Sequence, residues 1–229
     1  MLFYAPDIAE HSVLPANEAL HALRVLRLRE GDAIHITDGQ GTRYEAILRS
    51  LSPHNCQVEV LSAVYQPPFA VGVHLAVAPP KQLDRSEWLV EKATETGFSS
   101  ITFLRTRNSE RRDINTVRLA KVMAAAMKQS LQNRMPVLGE MIDFDTFVTR
   151  PFDGLRAIAC CTGERQLLAH TCRKGLSTLI LIGPEGDFTP EETAVAQNHG
   201  FLPVSLGENR LRTETAALLA GHTATLLCR

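Results

Sequence analysis

A loop containing two glycines and a proline is the feature of this 229-residue sequence with the clearest chemical potential. Gly183-Pro184-Glu185-Gly186-Asp187-Phe188 follows Leu179-Ile180-Leu181-Ile182, an apolar run that predicts a buried strand. Thr189-Pro190-Glu191-Glu192 comes next and predicts a helix start with a capping box and proline at the first helical position. Because glycine lacks a Cβ, the loop backbone can approach a ligand closely. The pattern predicts a ligand-binding loop; a tight strand-to-helix turn without a ligand is the alternative.

Two further polar turns follow apolar segments. Leu206-Gly207-Glu208-Asn209-Arg210-Leu211 leads into an almost wholly apolar helix that begins near Arg212 and Glu214. These two residues place a cation and a carboxylate at the mouth of the helix, where they are candidates for function. The alternative is that both are simple end groups, with Glu214 favoured by the helix dipole. The third turn, Thr162-Gly163-Glu164 after Cys161, is a weaker signal.

The segments around these turns alternate between strand and helix patterns. Predicted strands cover 71–77, 100–104, 155–161, 178–182 and 201–205, and predicted helices cover 85–96, 115–132, 165–172, 190–199 and 213–227. Buried apolar strands that alternate with helices imply an α/β fold with a largely parallel sheet covered on both faces. In such sheets ligands gather at the carboxyl ends of strands, and all three turns follow strands.

The first 65 residues have a different, mostly β pattern. A helix is predicted over 17–26, and strands over 33–37, 43–50 and 57–64, with glycine- and asparagine-containing joints typical of hairpins. Gln66-Pro67-Pro68 then favours an extended connector. We therefore expect two domains, at 1–67 and 70–229.

Composition excludes several classes of protein. The net charge of −1 argues against indiscriminate coating of nucleic acid, although residues 71–140 carry eleven Lys or Arg against seven Asp or Glu, a local excess that can bind phosphates. No apolar run approaches the roughly 20 residues that span a bilayer, and no export signal is visible. Five cysteines without a C-x-x-C pair predict a reduced, cytoplasmic protein without disulfides or a metal site. Dinucleotide, phosphate-loop, H-E-x-x-H and G-x-S-x-G motifs are absent.

Taken together, the motifs resemble those of the RsmE methyltransferases, whose usual forms are I-G-P-E-G-G and L-G-x-x-x-L-R-T-E-T-A. Here they stand as Ile182–Gly186 and as Leu206-Gly207 with Leu211–Ala216. The resemblance covers nearly the whole chain. Its other matching stretches are His21–Arg27, Gly31-Asp32, Asp38-Gly39, Lys92–Gly97, and Lys128–Ser130 with Arg134 and Pro136.

This resemblance implies methylation of N3 of a uridine in the 16S rRNA of the small ribosomal subunit, with S-adenosyl-L-methionine (SAM) as methyl donor. It implies a PUA-like β-barrel for RNA, a C-terminal SPOUT domain with a deep trefoil knot, and a homodimer, with neither DNA nor a membrane as partner. The implied SAM contacts are Cys161, Thr162, Gly183, Pro184, Glu185, Gly186, Leu206, Gly207, Asn209, Leu211 and Thr213.

Loss of the N3 proton leaves an anion, and the permanently charged, forked guanidinium of Arg212 suits its stabilisation. Glu214 is the second catalytic candidate, as an orienting group or proton acceptor. The candidate phosphate contacts are Arg24, Arg27, Lys81, Arg85, Arg105, Arg107, Arg111, Arg112 and Arg134. A ribose 2′-O-methyltransferase, a non-catalytic RNA-binding protein and a small-molecule α/β enzyme remain as alternatives.

The sequence departs from the family pattern at two places. Asp187 stands where the family often has a second glycine, and we expect the loop to accommodate it because aspartate tolerates unusual backbone angles. Lys81-Gln82-Leu83-Asp84-Arg85 replaces the more usual K-G-D-R/K, which affects the expected RNA contacts.

Overall fold

The computed structural model describes residues 1–52, 55–161 and 163–229. The chain forms two compact units. The first contains Met1–Pro68 together with Ala124–Met135, and the second contains Phe69–Met123 together with Pro136–Arg229.

The assignment of residues 124–135 to the first unit was not predicted from the sequence. Backbone hydrogen bonds explain it, because Gly41 N donates to Asn133 O at 2.8 Å and Met135 N donates to Gly39 O at 3.0 Å. Thr37 Oγ1 also donates to Asn133 O, at 3.0 Å. The partners of each hydrogen bond lie more than 90 residues apart in the chain, so no local sequence pattern could predict these contacts.

Within the described residues, five strands and one helix lie in the Met1–Pro68 part of the first unit. They are β1 Leu2–Tyr4, β2 Val13–Leu14, α1 Ala16–Leu20 with a π-helical continuation at His21–Val25, β3 Ala33–Thr37, β4 Thr42–Leu51 and β5 Cys56–Tyr65. Their order in the sheet is β1-β3-β4-β5-β2, with β1 parallel to β3 and the other pairs antiparallel.

The period of two along β4 explains why this sheet has an interior face. Tyr44, Ala46 and Leu48 are buried on one side, where they join Phe3 and Ile36 in a single core. Within the described residues β1 and β2 lie at opposite edges and do not pair. Strand pairing among the described residues therefore gives an open sheet, whereas the resemblance to the RsmE family implied a PUA-like β-barrel. The two edge strands contain only three and two residues.

Over the described residues, eight strands of the second unit form one parallel sheet. They are β6 Val73–Val77, β7 Ser100–Arg105, β8 Val137–Leu138, β9 Ile142–Asp143, β10 Leu155–Ala159, β11 Gln166–Leu167, β12 Thr178–Ile182 and β13 Leu202–Ser205. Their order is β11-β13-β10-β12-β6-β7-β8, and β9 also pairs with β7. All five residues of β12 are buried, as an apolar central strand requires.

The remaining helices are α2 Leu83–Glu95, α3 Thr116–Gln129, α4 Phe144–Val148, α5 Leu168–Thr171, α6 Pro190–Asn198 and α7 Thr213–Cys228. Helices α2 and α5 both pack on α7, and α4 packs on α6, so the parallel sheet has two groups of helices. Gly221 permits close packing of α7, because a Cβ there would lie 2.0 Å from the ring of Phe98.

The predicted helix over 165–172 is mostly wrong. Only Leu168–Thr171 is helical, since Gln166 and Leu167 pair with Val204 and Ser205 of β13. Pairing with a distant strand overrides the local helical preference. The short elements β1, β2, β8, β9 and α4 were not predicted, because they are too brief to show a period. No helix of the described residues is long and apolar enough to cross a membrane.

Candidate functional site

The carboxyl ends of β10, β12 and β13 open into one cavity of about 790 Å³. These strands are neighbours in the parallel sheet, with β10 between the other two. Their last residues contribute to the cavity wall, together with the three turns that follow them. This is the edge of an α/β sheet at which ligands are expected.

The turn after β12 has a tight, defined backbone. Gly183 lies so close to Phe188 that a Cβ would be 3.1 Å from the Phe188 amide nitrogen, so a larger residue would force the neighbouring backbone to shift by a few tenths of an ångström. Asp187 has a φ of +62°, in the left-handed region that aspartate tolerates. The loop thus accommodates Asp187 as expected. Phe188 is buried against Phe144, with ring centroids 5.3 Å apart, and anchors the far end of the turn.

The carboxylate of Asp187 connects this turn to the one after β10. Its Oδ2 accepts a hydrogen bond of 2.8 Å from the backbone N–H of Cys161, and its Oδ1 accepts one of 2.8 Å from its neighbour Phe188. Asn108 supports the same turn, since its Nδ2 donates to the carbonyl oxygens of Gly186 and Asp187 at 3.2 and 3.0 Å. Side chains therefore fix the spacing of two cavity loops.

The cysteines beside Asp187 are poor nucleophiles. Partial burial, reinforced by the Asp187 carboxylate, raises the pKa of the Cys160 thiol above its ordinary value. The same two causes raise the pKa of the Cys161 thiol. Both side chains therefore stay protonated at neutral pH, and they serve the cavity as wall groups.

The turn after β13 ends at the first turn of α7. Gly207 has a φ of +123°, which favours glycine, and its N–H donates to Ser205 Oγ at 3.2 Å. Arg212 is the N-cap residue of α7 in an extended conformation. Arg212 lines the cavity at this point.

A smaller cavity of about 230 Å³ adjoins the same residues. It is lined by Lys81, Gln82, Arg85, Glu185, Arg212 and Glu214. Glu185 and Arg212 line both cavities, so they stand at the boundary between them. Three cations and two carboxylates in so small a space form a strongly polar site.

Glu214 is held by an ion pair with Arg85. Its Oε1 accepts a charge-assisted hydrogen bond from Arg85 Nη1, and the two side chains are 9% and 29% exposed. Glu214 lies in the first turn of α7, where the helix dipole also favours a carboxylate. The side-chain partner of Glu214 is thus Arg85, a residue that the sequence analysis had not connected with it.

The predicted SAM contacts gather at one place. Within the described residues they all line the larger cavity: Cys161, Gly183, Pro184, Glu185, Gly186, Leu206, Gly207, Asn209, Leu211 and Thr213. Thr162 lies outside the described residues. The sequence-based set omitted four charged residues of the wall, Arg165, Asp187, Glu208 and Arg210. The sequence could have identified these residues as wall residues, because each lies in or beside one of the three turns.

The predicted phosphate contacts of the second unit have diverse environments. Lys81 pairs with Glu110 at 2.7 Å, and Arg105 pairs with Asp143 at 3.3 Å. Arg111 Nη2 donates to the carbonyl oxygen of Lys81 at 3.1 Å. The other three are Arg85, which is paired with Glu214, Arg107, whose guanidinium lies 3.8 Å from Glu191, and the exposed Arg112. Only Lys81 and Arg85 line the smaller cavity.

The predicted phosphate contacts of the first unit are Arg24, Arg27 and Arg134. Arg24 and Arg27 are exposed, and Arg27 has a φ of +54°. Arg134 is half-buried, and its Nη2 donates to the carbonyl oxygen of Gln66 at 3.1 Å and to Tyr65 Oη at 3.3 Å. A phosphate would therefore compete with Gln66 and Tyr65 for Arg134. The exposed Arg24 and Arg27 have no comparable hydrogen bonds among the described residues.

Comparison with known proteins matches both parts of the chain to described families. Residues 67–225 match an RNA methyltransferase domain, and residues 14–61 match an RNA methyltransferase PUA domain. The ribosomal RNA small subunit methyltransferase E of Synechocystis sp. is 31% identical over 229 residues, which cover 96% of this chain and 75% of that protein.

Solved structures agree with these matches. A probable rRNA-methyltransferase from Porphyromonas gingivalis superposes with a TM-score of 0.93 at 42% identity, covering 98% of each chain. The ribosomal RNA small subunit methyltransferase E from Neisseria gonorrhoeae, bound to S-adenosyl methionine, superposes with a TM-score of 0.85 at 27% identity. That alignment covers 99% of this chain and 97% of the other. The first unit is accordingly PUA-like, and the second has the α/β fold of RNA methyltransferases.

Proposed function

Because this chain belongs to the ribosomal RNA small subunit methyltransferase E family, we propose that it methylates N3 of one uridine in 16S rRNA with SAM as the methyl donor. One observation carries the proposal. Except for Glu214 and Thr215, the residues that match the family's two glycine-containing motifs line a single cavity at the carboxyl ends of β10, β12 and β13.

The larger cavity suits SAM in size and chemistry. Its volume of about 790 Å³ lies within the range of small-molecule sites, roughly 300–1,000 Å³. Its wall combines apolar residues such as Ile182 and Val204 with charged side chains of both signs, and SAM likewise carries both positive and negative groups. When bound, SAM supplies an electrophilic methyl group on its sulfonium.

Arg212 would stabilise the target base as it loses its proton. The N3 anion of uracil shares its charge with the neighbouring carbonyl oxygens, and a guanidinium can donate to such oxygens with a planar fork. The position of Arg212 at the boundary between the two cavities supports this role, because the base and the methyl donor must meet there. Arg85 would act indirectly, by holding Glu214.

We propose that basic residues of both units contact the phosphates of the rRNA. These are Arg24, Arg27 and Arg134 in the first unit, and Lys81, Arg85, Arg105, Arg107, Arg111 and Arg112 in the second. Exposed members such as Arg24, Arg27 and Arg112 need no rearrangement to bind. The small ribosomal subunit is a cytoplasmic particle, so we also propose a cytoplasmic location.

A homodimer is part of the proposal. Leu219 and Leu226 of α7 are 46% and 68% exposed, and they lie on one helix face because they are seven residues apart. A second copy of the chain would cover this apolar surface. Analytical ultracentrifugation should give a dimer for the wild type and a folded monomer for Leu226→Glu. A monomeric wild-type protein at micromolar concentration would contradict the assignment.

The SPOUT assignment with its deep trefoil knot is likewise a proposal, based on the family motifs. True knots are very rare in proteins, so the topology needs a direct experiment. A crystal structure should show the chain beyond β12 passing through a loop formed by earlier residues. An unthreaded path would reject the knot and with it the SPOUT assignment.

The proposed reaction has a direct test. Small ribosomal subunits that lack the modification are incubated with the protein and labelled SAM, and the modified nucleoside is identified by mass spectrometry. We expect 3-methyluridine at one position of 16S rRNA. A 2′-O-methylated nucleoside would replace this function with the ribose alternative, and SAM-independent RNA binding without product would leave a non-catalytic protein.

A further inference from the structure

We propose that Glu185 accepts the N3 proton of the target uridine. This inference rests on the function proposed above and assigns the one group that the reaction still needs. Glu185 and Arg212 are the residues that line both cavities. A base in the smaller cavity would therefore present N3 to a methyl donor in the larger one across the boundary that these two side chains form.

Two carboxylates, those of Glu185 and Glu214, could accept the N3 proton, and the position of the methyl donor decides between them. N3 must face the methyl donor as it loses its proton, so the proton acceptor must also stand at the boundary. Glu185 meets this requirement. Glu214 lines only the smaller cavity, its side chain is 9% exposed, and Arg85 already engages its Oε1.

The local contacts of Glu185 leave one of its carboxylate oxygens able to accept a proton. Its Oε1 accepts a hydrogen bond of 3.1 Å from the backbone N–H of Lys81, which fixes the direction of the carboxylate. In the described part of the chain no hydrogen bond engages its Oε2, and the residue is exposed at the cavity rim. One oxygen is thus anchored while the other can receive a proton.

The step balances without any further reactant. The N3–H bond breaks, and its proton passes to Glu185 Oε2. The electron pair left on N3 forms the new bond to the methyl carbon, while the electrons of the carbon–sulfur bond remain on sulfur as a neutral thioether. Arg212 compensates the negative charge that spreads onto the base oxygens before methyl transfer is complete. Glu185 returns its proton to solvent after product release.

Glu185→Gln provides the sharpest variant, because a glutamine retains the acceptor for the Lys81 N–H but cannot take a proton. We expect kcat for 3-methyluridine formation to fall by about 10²–10⁴-fold, the usual contribution of a general base. The dissociation constant for SAM, measured by calorimetry, should change far less than kcat, because glutamine still presents a polar side chain of the same size to the cavity. Glu140→Gln, an exposed glutamate that lines neither cavity, is the matched charge control.

A more acidic substrate should rescue the variant. Small subunits assembled with 5-fluorouridine carry a more acidic N3 proton, so the ratio of wild-type to Glu185→Gln rates should shrink on them. Rising pH should shrink the same ratio, since solvent then removes more of the proton. These two responses would not accompany the loss of a purely structural contact.

The outcomes distinguish a failure of the role proposed for Glu185 from a failure of the proposed methyltransferase function. If the wild type forms 3-methyluridine and Glu185→Gln forms it equally fast, Glu185 is not the acceptor although the function stands. A variant with unchanged kcat and weaker SAM binding would make Glu185 a cofactor contact only. A rate loss that neither pH nor 5-fluorouridine relieves would also overturn the proposal. If the wild type forms no 3-methyluridine, the function itself fails.

Discussion

The carboxylate of Asp187 bridges two loops of the larger cavity, since its Oδ2 accepts a hydrogen bond of 2.8 Å from the backbone N–H of Cys161. One loop follows β10 and the other follows β12, and both contribute to the cavity wall. A glycine at position 187, the residue expected from the family motif, could adopt the same backbone but could not form this bridge. In this chain a side-chain hydrogen bond therefore connects the two loops, and a glycine at position 187 could not provide it.

Removing this bridge should weaken SAM binding. Asp187→Gly permits the φ of +62° but deletes the acceptor, so the loops gain freedom that binding must restrict again. We expect the dissociation constant for SAM to rise about tenfold, or about 1.4 kcal/mol. Asp187→Asn keeps an acceptor and tolerates the same backbone angle, so it should stay within about threefold of wild type. Equal affinities for the two variants by calorimetry would show that the bridge is unimportant.

The reactivity of Cys161 should depend on Asp187. Partial burial and the neighbouring carboxylate raise the pKa of this thiol, so little thiolate is present at neutral pH and alkylation should be slow. Asp187→Asn removes the charge, and the pKa should then fall towards its ordinary value. The pH at which iodoacetamide labels Cys161, followed by tandem mass spectrometry, should fall accordingly.

Cys172 supplies the internal control for this experiment. Burial, with a contribution from Cys228, raises its pKa to about 12, and the carboxylate of Asp187 is not among the causes. Its labelling should be equally slow in both proteins. An unchanged Cys161 profile in Asp187→Asn would mean that the carboxylate has no electrostatic effect on the thiol.

Arg212 should be required for the chemical step. We expect Arg212→Ala to lower kcat for 3-methyluridine formation by about 10²–10³-fold, the typical effect of deleting a donor to a developing oxyanion. Arg212→Lys keeps the charge but loses the forked geometry, so its rate should lie between those of alanine and wild type. Circular dichroism provides the folding control. A folded Arg212→Ala protein with the full rate would remove Arg212 from the reaction.

The ion pair between Arg85 and Glu214 should show strong coupling in unfolding experiments. Arg85→Met leaves the Glu214 carboxylate largely buried without its partner, which should lower the free energy of unfolding by about 1–3 kcal/mol. The double variant Arg85→Met/Glu214→Gln should lose less than the sum of the two single losses. Urea denaturation measures all four proteins. Additive losses would indicate that the contact contributes no net stability.

The strands and their carboxyl-end loops were largely predictable because their signals are local. The strand predicted over 178–182 and the one over 33–37 match the observed bounds, since each is a short apolar or alternating run between clear breaks. The capping box at Thr189 and Glu192 also forms as predicted. The helix predicted over 165–172 failed for the opposite reason, because Gln166 and Leu167 follow their pairing with β13.

By itself, the amino-acid sequence determined the succession of the longer strands and helices, the three turns that could hold a ligand, and the family motifs within them. These depend on the period of apolar residues and on glycine and proline, which act over a few neighbouring positions. Tertiary structure alone decided that Arg85 is the partner of Glu214, 129 residues away, and that Glu185 and Arg212 separate two cavities. Such relationships depend on how the sheet and helices pack, because only packing brings residues distant in the chain within hydrogen-bonding distance.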